Sequence, residues 1–512
     1  MAQVEPSAAM LAWVRARRDA HRFADLVAFL GLGHAEPSAG TFSWVLACVM
    51  IEGTQAKGRK VSKGRYWHFF DNISADGAAE MRLWVALPPS HRGQAVTMGS
   101  IHPQPEEIVE DELSGNRVVF WRLKDVASGD RPYCTYGFEF ERETVLTDVD
   151  PEKVGPYDRA SDEVERFTLS EPWIEVTDEI EAEARRIVAG ETNPYLQARR
   201  IFEWILDNMV YEYPDAASRG AAKSAVSLKG DCGEFSFVFC AMCRSLGIPA
   251  RAITCMWLTE AGHVWAEILL PGYGWVPVDP SFAQGLAGKS AAFGDESRTR
   301  AFAESRGVLE VDPNWLFGNL YSERLIICVG NNLDVEHREL GIARTFRFLQ
   351  PGGVHAVPPS FEAAGFAAPP VEAGFFVFGD AADDIDRARA VALRRMAPGY
   401  LAAGAYEMAE KGLRGVLEEK PDDGEALLYM GQCHLNQGRF DDAIEALRAS
   451  LAGRGGSTKP VMDAWAHNLL GVCYQAKGEV DEARREFQLV IDSGIDFQGS
   501  QRFARDQLRD GG

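Results

Sequence analysis

A chain of 512 residues has room for about three domains, and its 46% hydrophobic and 10% aromatic content can give each a core. A net charge of −22 with no basic block argues against nucleic acid and anionic membrane surfaces as partners. Nine cysteines, scattered from Cys48 to Cys473, form no small-domain disulfide framework and point to a reducing compartment.

In chain order, residues 1–40 form a helical N-terminal segment with a helical pattern over 8–30. Residues 10–18 read as a short basic amphipathic helix, not the apolar core of a signal peptide, so the expected location is the cytoplasm. Residues 42–51 are apolar but too short to cross a bilayer; they read as a strand pairing with 65–72. Residues 41–170 are expected to form a β-sandwich-like domain. The stretch Ala198-Arg-Arg-Ile-Phe-Glu-Trp-Ile then repeats apolar residues at helical spacing.

The most informative stretch follows. Gly230-Asp-Cys-Gly-Glu-Phe-Ser, His263-Val-Trp-Ala-Glu and Val278-Asp-Pro supply a thiol, an imidazole and a carboxylate in that order. Cysteine chemistry needs those groups as nucleophile, base and orienting acid. Asp231 with Glu234 three residues on reads as a capping box. Phe235, Val238, Phe239, Met242 and Leu246 fall on one face of the helix, and Gly247 and Pro249 stop it. Cys232 then sits in the first turn, where the helix dipole favours a thiolate. Residues 250–254, 263–270 and 275–279 read as strands, with a turn at Pro271-Gly-Tyr-Gly. A hairpin centred between Gly272 and Tyr273 puts Asp279 opposite about Ala266 rather than His263, so a bulge, twist or other register must join the two. Trp265 and Glu267 follow His263 on one strand face, where they line a substrate cleft or pack. Cys240, Cys243 and Cys255 read as core residues. Tyr211 and Tyr213, upstream of the motif, are weak candidates for an oxyanion hole. No metal site and no cofactor motif is recognised.

On these residues, together with Cys243-Arg-Ser-Leu-Gly-Ile-Pro-Ala-Arg251 and Trp275-Val-Pro-Val-Asp-Pro280, the chain resembles the transglutaminase-like core of the papain-like cysteine superfamily. Residues 180–213 resemble its lead-in helices, Trp315-Leu-Phe-Gly-Asn-Leu and Leu325-Ile-Ile-Cys-Val-Gly its closing strands, and 65–150 the β-sandwich that often precedes it. The resemblance implies a catalytic core over 171–350, with Cys232 as nucleophile, His263 as base and later acid, and Asp279 as orienting carboxylate. It further implies an enzyme of amide bonds in peptides or proteins that works through a thioester, with water giving hydrolysis and an amine giving transamidation. Asp-Cys-Gly replaces the Gln-Cys-Trp of animal protein transglutaminases, and no calcium-type acidic cluster is found. A cytoplasmic peptide:N-glycanase is a minor alternative, since no paired Cys-x-x-Cys precedes Cys232. The competing reading is a catalytically silent scaffold. A live site is expected to have an unusually acidic thiol.

Beyond this core, residues 284–308 read as a lid or an irregular excursion, and 351–385 as a linker or docking segment in which Gly374-Phe-Phe-Val-Phe-Gly docks back. Residues 386–512 hold helical repeats. Gly404, Tyr406 and Ala409 recur 34 residues later as Gly438, Phe440 and Ala443, and a third copy starts at Gly478. The period resembles the tetratricopeptide repeat and implies a groove for a peptide or protein partner. The fold class expected is α+β: an N-terminal β-sandwich, a transglutaminase-like core and C-terminal all-α repeats.

Overall fold

The computed structural model describes residues 60–73, 79–111, 114–212, 219–258, 262–289, 312–337, 342–346, 361–364, 371–453, 459–495 and 499–510. The expected N-terminal helix, the strand at 42–51, Tyr213 and most of 284–308 lie outside them.

Two four-stranded sheets form the sandwich. One has the order β16-β1-β6-β3, from Val371–Phe378 (β16), Lys60–Asp71 (β1), Tyr133–Arg142 (β6) and Gln94–His102 (β3). The other has the order β15-β2-β5-β4, from Phe361–Ala364 (β15), Ala79–Leu87 (β2), Asn116–Val126 (β5) and Glu107–Asp111 (β4). Tyr66, Trp84, Phe120, Trp121, Tyr136 and Phe376 fill the space between them. Each sheet thus takes an outer strand from far down the chain. The segment expected to dock back does so as β16, pairing Gly64–Asp71 with Phe378–Val371. With β6 on its other side, β1 has both edges occupied, so the pairing expected between 65–72 and 42–51 is not available. This corrects the sequence reading: patterning identified the strand but not the neighbour arriving from 300 residues away.

The central core is a four-stranded antiparallel sheet, β11-β10-β9-β12, built from Gly274–Val278, Gly262–Leu270, Ala250–Trp257 and Arg324–Val329. Helices Asp162–Arg166 (α1), Asp178–Val188 (α2), Pro194–Asn208 (α3) and Ala221–Ser227 (α4) lead to Cys232–Ser245 (α5). The two-residue strands Val210–Tyr211 (β7) and Lys229–Gly230 (β8) pair in parallel just before α5. Every residue of α5 from Gly233 to Arg244 is buried, so α5 is central rather than one-faced. Its surroundings explain this: β9 and β10 cover one side, and α2, α3, α4 and the short helix Pro280–Leu286 (α6) cover the others. Leu325-Ile-Ile-Cys-Val forms β12 as expected, but 313–316 is a 3₁₀ turn rather than a strand.

β12 is an edge strand, and its outer edge is closed by two side-chain amides of the sandwich. Gln94 donates to the Ile326 carbonyl and accepts from its N–H (3.0 and 2.8 Å), and Asn116 does the same at Val329 (2.6 and 2.9 Å). Open edges invite foreign strands; here both amide dipoles are satisfied within the chain. A hairpin, Leu333–His337 (β13) with Ile342–Phe346 (β14), follows.

The repeats begin at Ile385–Ala402 (α7) and continue as Tyr406–Glu419 (α8), Gly424–Asn436 (α9), Phe440–Ala452 (α10), Lys459–Lys477 (α11), Val480–Asp492 (α12) and Ser500–Asp510 (α13). Gly404, Gly438 and Gly478 each have positive φ between the helices of a pair, the conformation that explains their spacing. At two crossings only glycine fits: a Cβ on Gly431 would lie 2.6 Å from Leu447 Cγ, and one on Gly471 2.5 Å from the Phe487 ring. α7 packs on the sandwich, with Met396 and Tyr400 against Trp67, Phe69 and Phe375. Tyr400 also donates to buried Asp71 (2.6 Å). Among the described residues no helix is long and apolar enough to cross a membrane.

Phe376 is fully buried with its ring 5.2 Å from Tyr66 and 6.0 Å from Phe138. Phe376→Ala should therefore destabilise the sandwich by about 3–5 kcal/mol, read as a fall in the urea midpoint. An unchanged midpoint would mean that β16 is not part of the folded sandwich.

Candidate active site

The start of α5 is fixed by a capping box: Asp231 accepts from Gly233 N (2.8 Å), and Glu234 reaches back to the Asp231 N–H (3.4 Å). The fold-back explains Gly230, where a Cβ would stand 2.2 Å from Glu234 Cβ. Arg219, which the sequence did not single out, clamps the box, with contacts of 2.8 Å to Asp231 and 3.0 Å to Glu234. Burial opposes ionisation of both carboxyls. Arg219 outweighs it at Asp231, which is lowered, whereas Glu234 is raised by burial and by the Asp231 charge.

Cys232 is the first residue of α5 and is partly buried, and its sulfur hydrogen-bonds the backbone of Val264, next to His263. His263 Nε2 contacts Asp279 Oδ2 at 2.8 Å; His263 is 7% exposed and Asp279 is fully buried. Asp279 is also close enough to act electrostatically on Cys232. The three residues singled out in the sequence are thus brought to one place.

The register explains how. Ala266 pairs with Val278, one residue from the expected hairpin register. Extending the ladder by one puts Asp279 opposite Trp265, on the face that Trp265 shares with His263. Diagonal neighbours on one face are within reach of long side chains, whereas the expected register would have put the two on opposite faces. Asp279 leaves the strand as the N-cap of α6, with Oδ1 accepting from Phe282 N (3.1 Å). A second partner went unforeseen: Arg324 Nη1 lies 2.6 Å from Asp279 Oδ2. Burial works against ionisation of Asp279, but His263, Arg324 and the Phe282 N–H hold its carboxyl well below the usual carboxylate range.

The thiol departs from expectation. Burial pushes Cys232 well above its ordinary range, and the negative charges of Asp231 and Asp279 push the same way; the Val264 hydrogen bond opposes them. Burial first, and then the negative charge of the capping Asp231, work against the thiolate that a helix N-terminus favours.

Trp265 and Glu267, expected along a cleft or packed, are interior. Trp265 is fully buried with Ile253, Cys255 and Ile326. Glu267 lies 2.8 Å from Arg251 and 3.0 Å from His91, a residue of the sandwich. Tyr211 is half-buried, paired with Gly230 and with its ring 5.9 Å from Phe235. Cys240, Cys243 and Cys255 are core residues. Among the described residues no group of three or more His, Cys, Asp or Glu could hold a metal ion.

Residues 181–280, which contain Cys232, His263 and Asp279, match the family described as the transglutaminase-like superfamily, and residues 400–456 match the tetratricopeptide repeat. An uncharacterised protein of Haemophilus influenzae is 26% identical over 292 residues, covering 49% of this chain and 74% of that protein. Among solved structures, a proposed cysteine protease of Cytophaga hutchinsonii aligns over 62% of this chain and 99% of its own, at 15% identity and a TM-score of 0.37. The periplasmic domain of TgpA from Pseudomonas aeruginosa aligns over 51% and 94%, at 13% identity and a TM-score of 0.24. The two family matches, not these low structural scores, carry the assignment: the chain contains a transglutaminase-like core and tetratricopeptide repeats.

Burial alone would raise Glu267, but His91 and Arg251 bring it down from 4.5 to about 2. Because the folded value lies below the unfolded one, this pairing adds stability above about pH 4.5 that is lost as pH falls towards 2, of order ~3 kcal/mol. Glu267→Gln should therefore be less stable than the wild type at pH 7, with the gap closing through acid in urea titrations from about pH 7 to pH 3. A gap independent of pH would rule out an ionised, paired Glu267.

Proposed function

We propose that this protein is a cysteine-dependent amide-bond enzyme, acting on peptide or protein carboxamides through a thioester, with Cys232 as nucleophile, His263 as base and acid, and Asp279 as the carboxylate that orients His263. The observation that carries the reading is the 2.8 Å contact between His263 Nε2 and Asp279 Oδ2, made beside the residue whose backbone holds the Cys232 sulfur. With Nε2 engaged by Asp279, Nδ1 is the nitrogen that serves the thiol.

In the proposed cycle Cys232 Sγ attacks the carbonyl carbon while His263 takes the thiol proton. The negative oxygen that forms is met by the backbone N–H of Cys232 at the helix start. Gly233 N is already committed to Asp231, which leaves it out of this role. His263 then protonates the departing amine, the C–N bond breaks and a thioester remains. Water or an acceptor amine adds to the thioester, His263 receives its proton, and Cys232 leaves as the thiol. Water makes the enzyme a protease or amidase; an amine makes it a transamidase.

The repeats are read as the recruiting surface for a protein partner or substrate, in keeping with their match to the tetratricopeptide repeat and the concave surfaces that stacked repeats form. A working thiol favours a reducing compartment, and we place the protein in the cytoplasm.

The test is a proteome digest incubated with the protein and a dansylated amine, with new amino termini and amine adducts read by mass spectrometry. Wild type should generate one or both products, and Cys232→Ala and His263→Ala should each lose at least about 10³-fold while keeping the wild-type circular dichroism. Products that persist with Cys232→Ala would sink the mechanism. Their absence from the wild type would favour the scaffold.

A further inference from the structure

Resting on that reading of Cys232, His263 and Asp279, we infer that Gln94 and Asn116 of the sandwich are positioning residues for the active site: their spacing selects the bulged register of β12 that puts Arg324 on Asp279.

β12 does not pair regularly with β9. Ile326 lies opposite Cys255 and Cys328 opposite Thr254, so Ile327 is an extra residue in the ladder, a β-bulge. The side chains record it. Ile326 and Val329 pack with Trp265, Cys255 and Ile253, whereas Leu325, Ile327 and Cys328 pack into the sandwich core. In a regular strand residues three apart point to opposite faces; here Ile326 and Val329 share one. The bulge thus decides which residues face the catalytic side of the sheet. Arg324, two residues before Ile326, is among them, with Nη1 2.6 Å from Asp279 Oδ2. Were the extra residue placed before Arg324 with Val329 kept where it is, the guanidinium would turn to the sandwich and leave Asp279.

Pairing with β9 alone does not fix where the extra residue falls; two side chains of the sandwich do. The Gln94 carboxamide takes both backbone groups of Ile326, 2.8 Å from its N and 3.0 Å from its O, and Asn116 takes both of Val329, at 2.9 and 2.6 Å. A carboxamide carries a donor and an acceptor, the same two groups that a neighbouring strand would present. Outward-pointing backbone groups of an edge strand recur at every second residue, so two such amides can grip residues three apart only when an extra residue lies between them. Their spacing is set by the sandwich, since Gln94 opens β3 in one sheet and Asn116 opens β5 in the other. Both are buried, and Gln94 gives a further hydrogen bond to the Pro89 carbonyl (2.7 Å), so its carboxamide cannot rotate away without losing these bonds together.

The experiment is residue-resolved hydrogen exchange on the full-length protein, beside turnover of dimethylated casein with the dansylated amine, for wild type and a double variant, Gln94→Met with Asn116→Leu. The Phe282 N–H, which donates to Asp279 Oδ1 (3.1 Å), reports on the carboxylate without any substrate. In the double variant the Ile326 and Val329 amides should lose protection and Phe282 should exchange at least about tenfold faster, with the Gly233 N–H unchanged. Over the same change kcat should fall at least about tenfold with KM held within about twofold. Phe376→Leu, which weakens the sandwich but keeps both amides, should leave Phe282 exchange and kcat at their wild-type values. An equal effect there would reduce Gln94 and Asn116 to general stability and overturn the inference, as would a folded double variant with unchanged Phe282 exchange. If the double variant does not fold, Gln94→Asn, whose carboxamide is one methylene shorter and so withdrawn from Ile326, takes its place under the same criteria. The two readings fail separately. Faster Phe282 exchange with casein turnover unchanged upholds the clamp and removes Asp279 from the cycle, turnover by Cys232→Ala removes the triad itself, and with casein inert to the wild type the exchange alone decides.

Discussion

A carboxylate with no exposed surface is the constraint around which the core is arranged. Leaving Asp279 charged inside the protein would cost several kcal/mol without partners, and it takes four: His263 from β10, Arg324 from β12, and Phe282 and Ser281 from the helix it caps. Those contacts join both outer strands and an inner strand of the sheet to one side chain. The position of His263 is thereby set by a buried electrostatic requirement as much as by strand pairing. A shift of β11 by one residue would move Asp279 to the wrong face and leave the buried Arg324 without its counter-ion and His263 without its partner.

The same requirement draws the sandwich into the site. Arg324 is useful only where β12 puts it, and β12 is an edge strand whose outer amides are closed by Gln94 and Asn116. His91, in the turn between β2 and β3, reaches Glu267 on β10 and so ties a second part of the sandwich to the strand carrying His263. The sandwich in turn needs β15 and β16, which arrive after the core is complete, and β16 is covered by α7 of the repeats. Repeats, sandwich and core are thus connected through buried contacts rather than joined as beads on a string.

What could be read from the sequence divides along contact distance. The capping box lies within four residues, and its Asp-x-x-Glu pattern is visible directly, as are the 34-residue repeat and the apolar strands. The His263–Asp279 contact was half legible: the hairpin was found, but its register was off by one because Tyr273 and its neighbours permit more than one turn. Arg219, Arg324, Gln94 and Asn116 carried no signal, since a polar residue in a strand or loop reads as solvent-facing until its partner is known. Arg324 is 45 residues from Asp279, and Gln94 232 residues from Ile326. The same blindness explains Trp265 and Glu267, whose shared face was read as a cleft or as packing, whereas Val145 and Leu320 pack with Trp265 and His91 of the sandwich reaches Glu267.

The thiol shows why a motif does not fix electrostatics. A cysteine at a helix N-terminus is commonly taken to be acidic, because the dipole and free amides stabilise the anion. Here the amide of Gly233 is spent on Asp231, and the acidic residues that give the helix its clean start stand within range of the sulfur. Burial and the capping Asp231 therefore both work against the thiolate that the helix start alone would favour. In the proposed cycle the negative charge leaves sulfur for the new oxyanion as the bond to the substrate forms, and the remaining helix-start amide can meet it there.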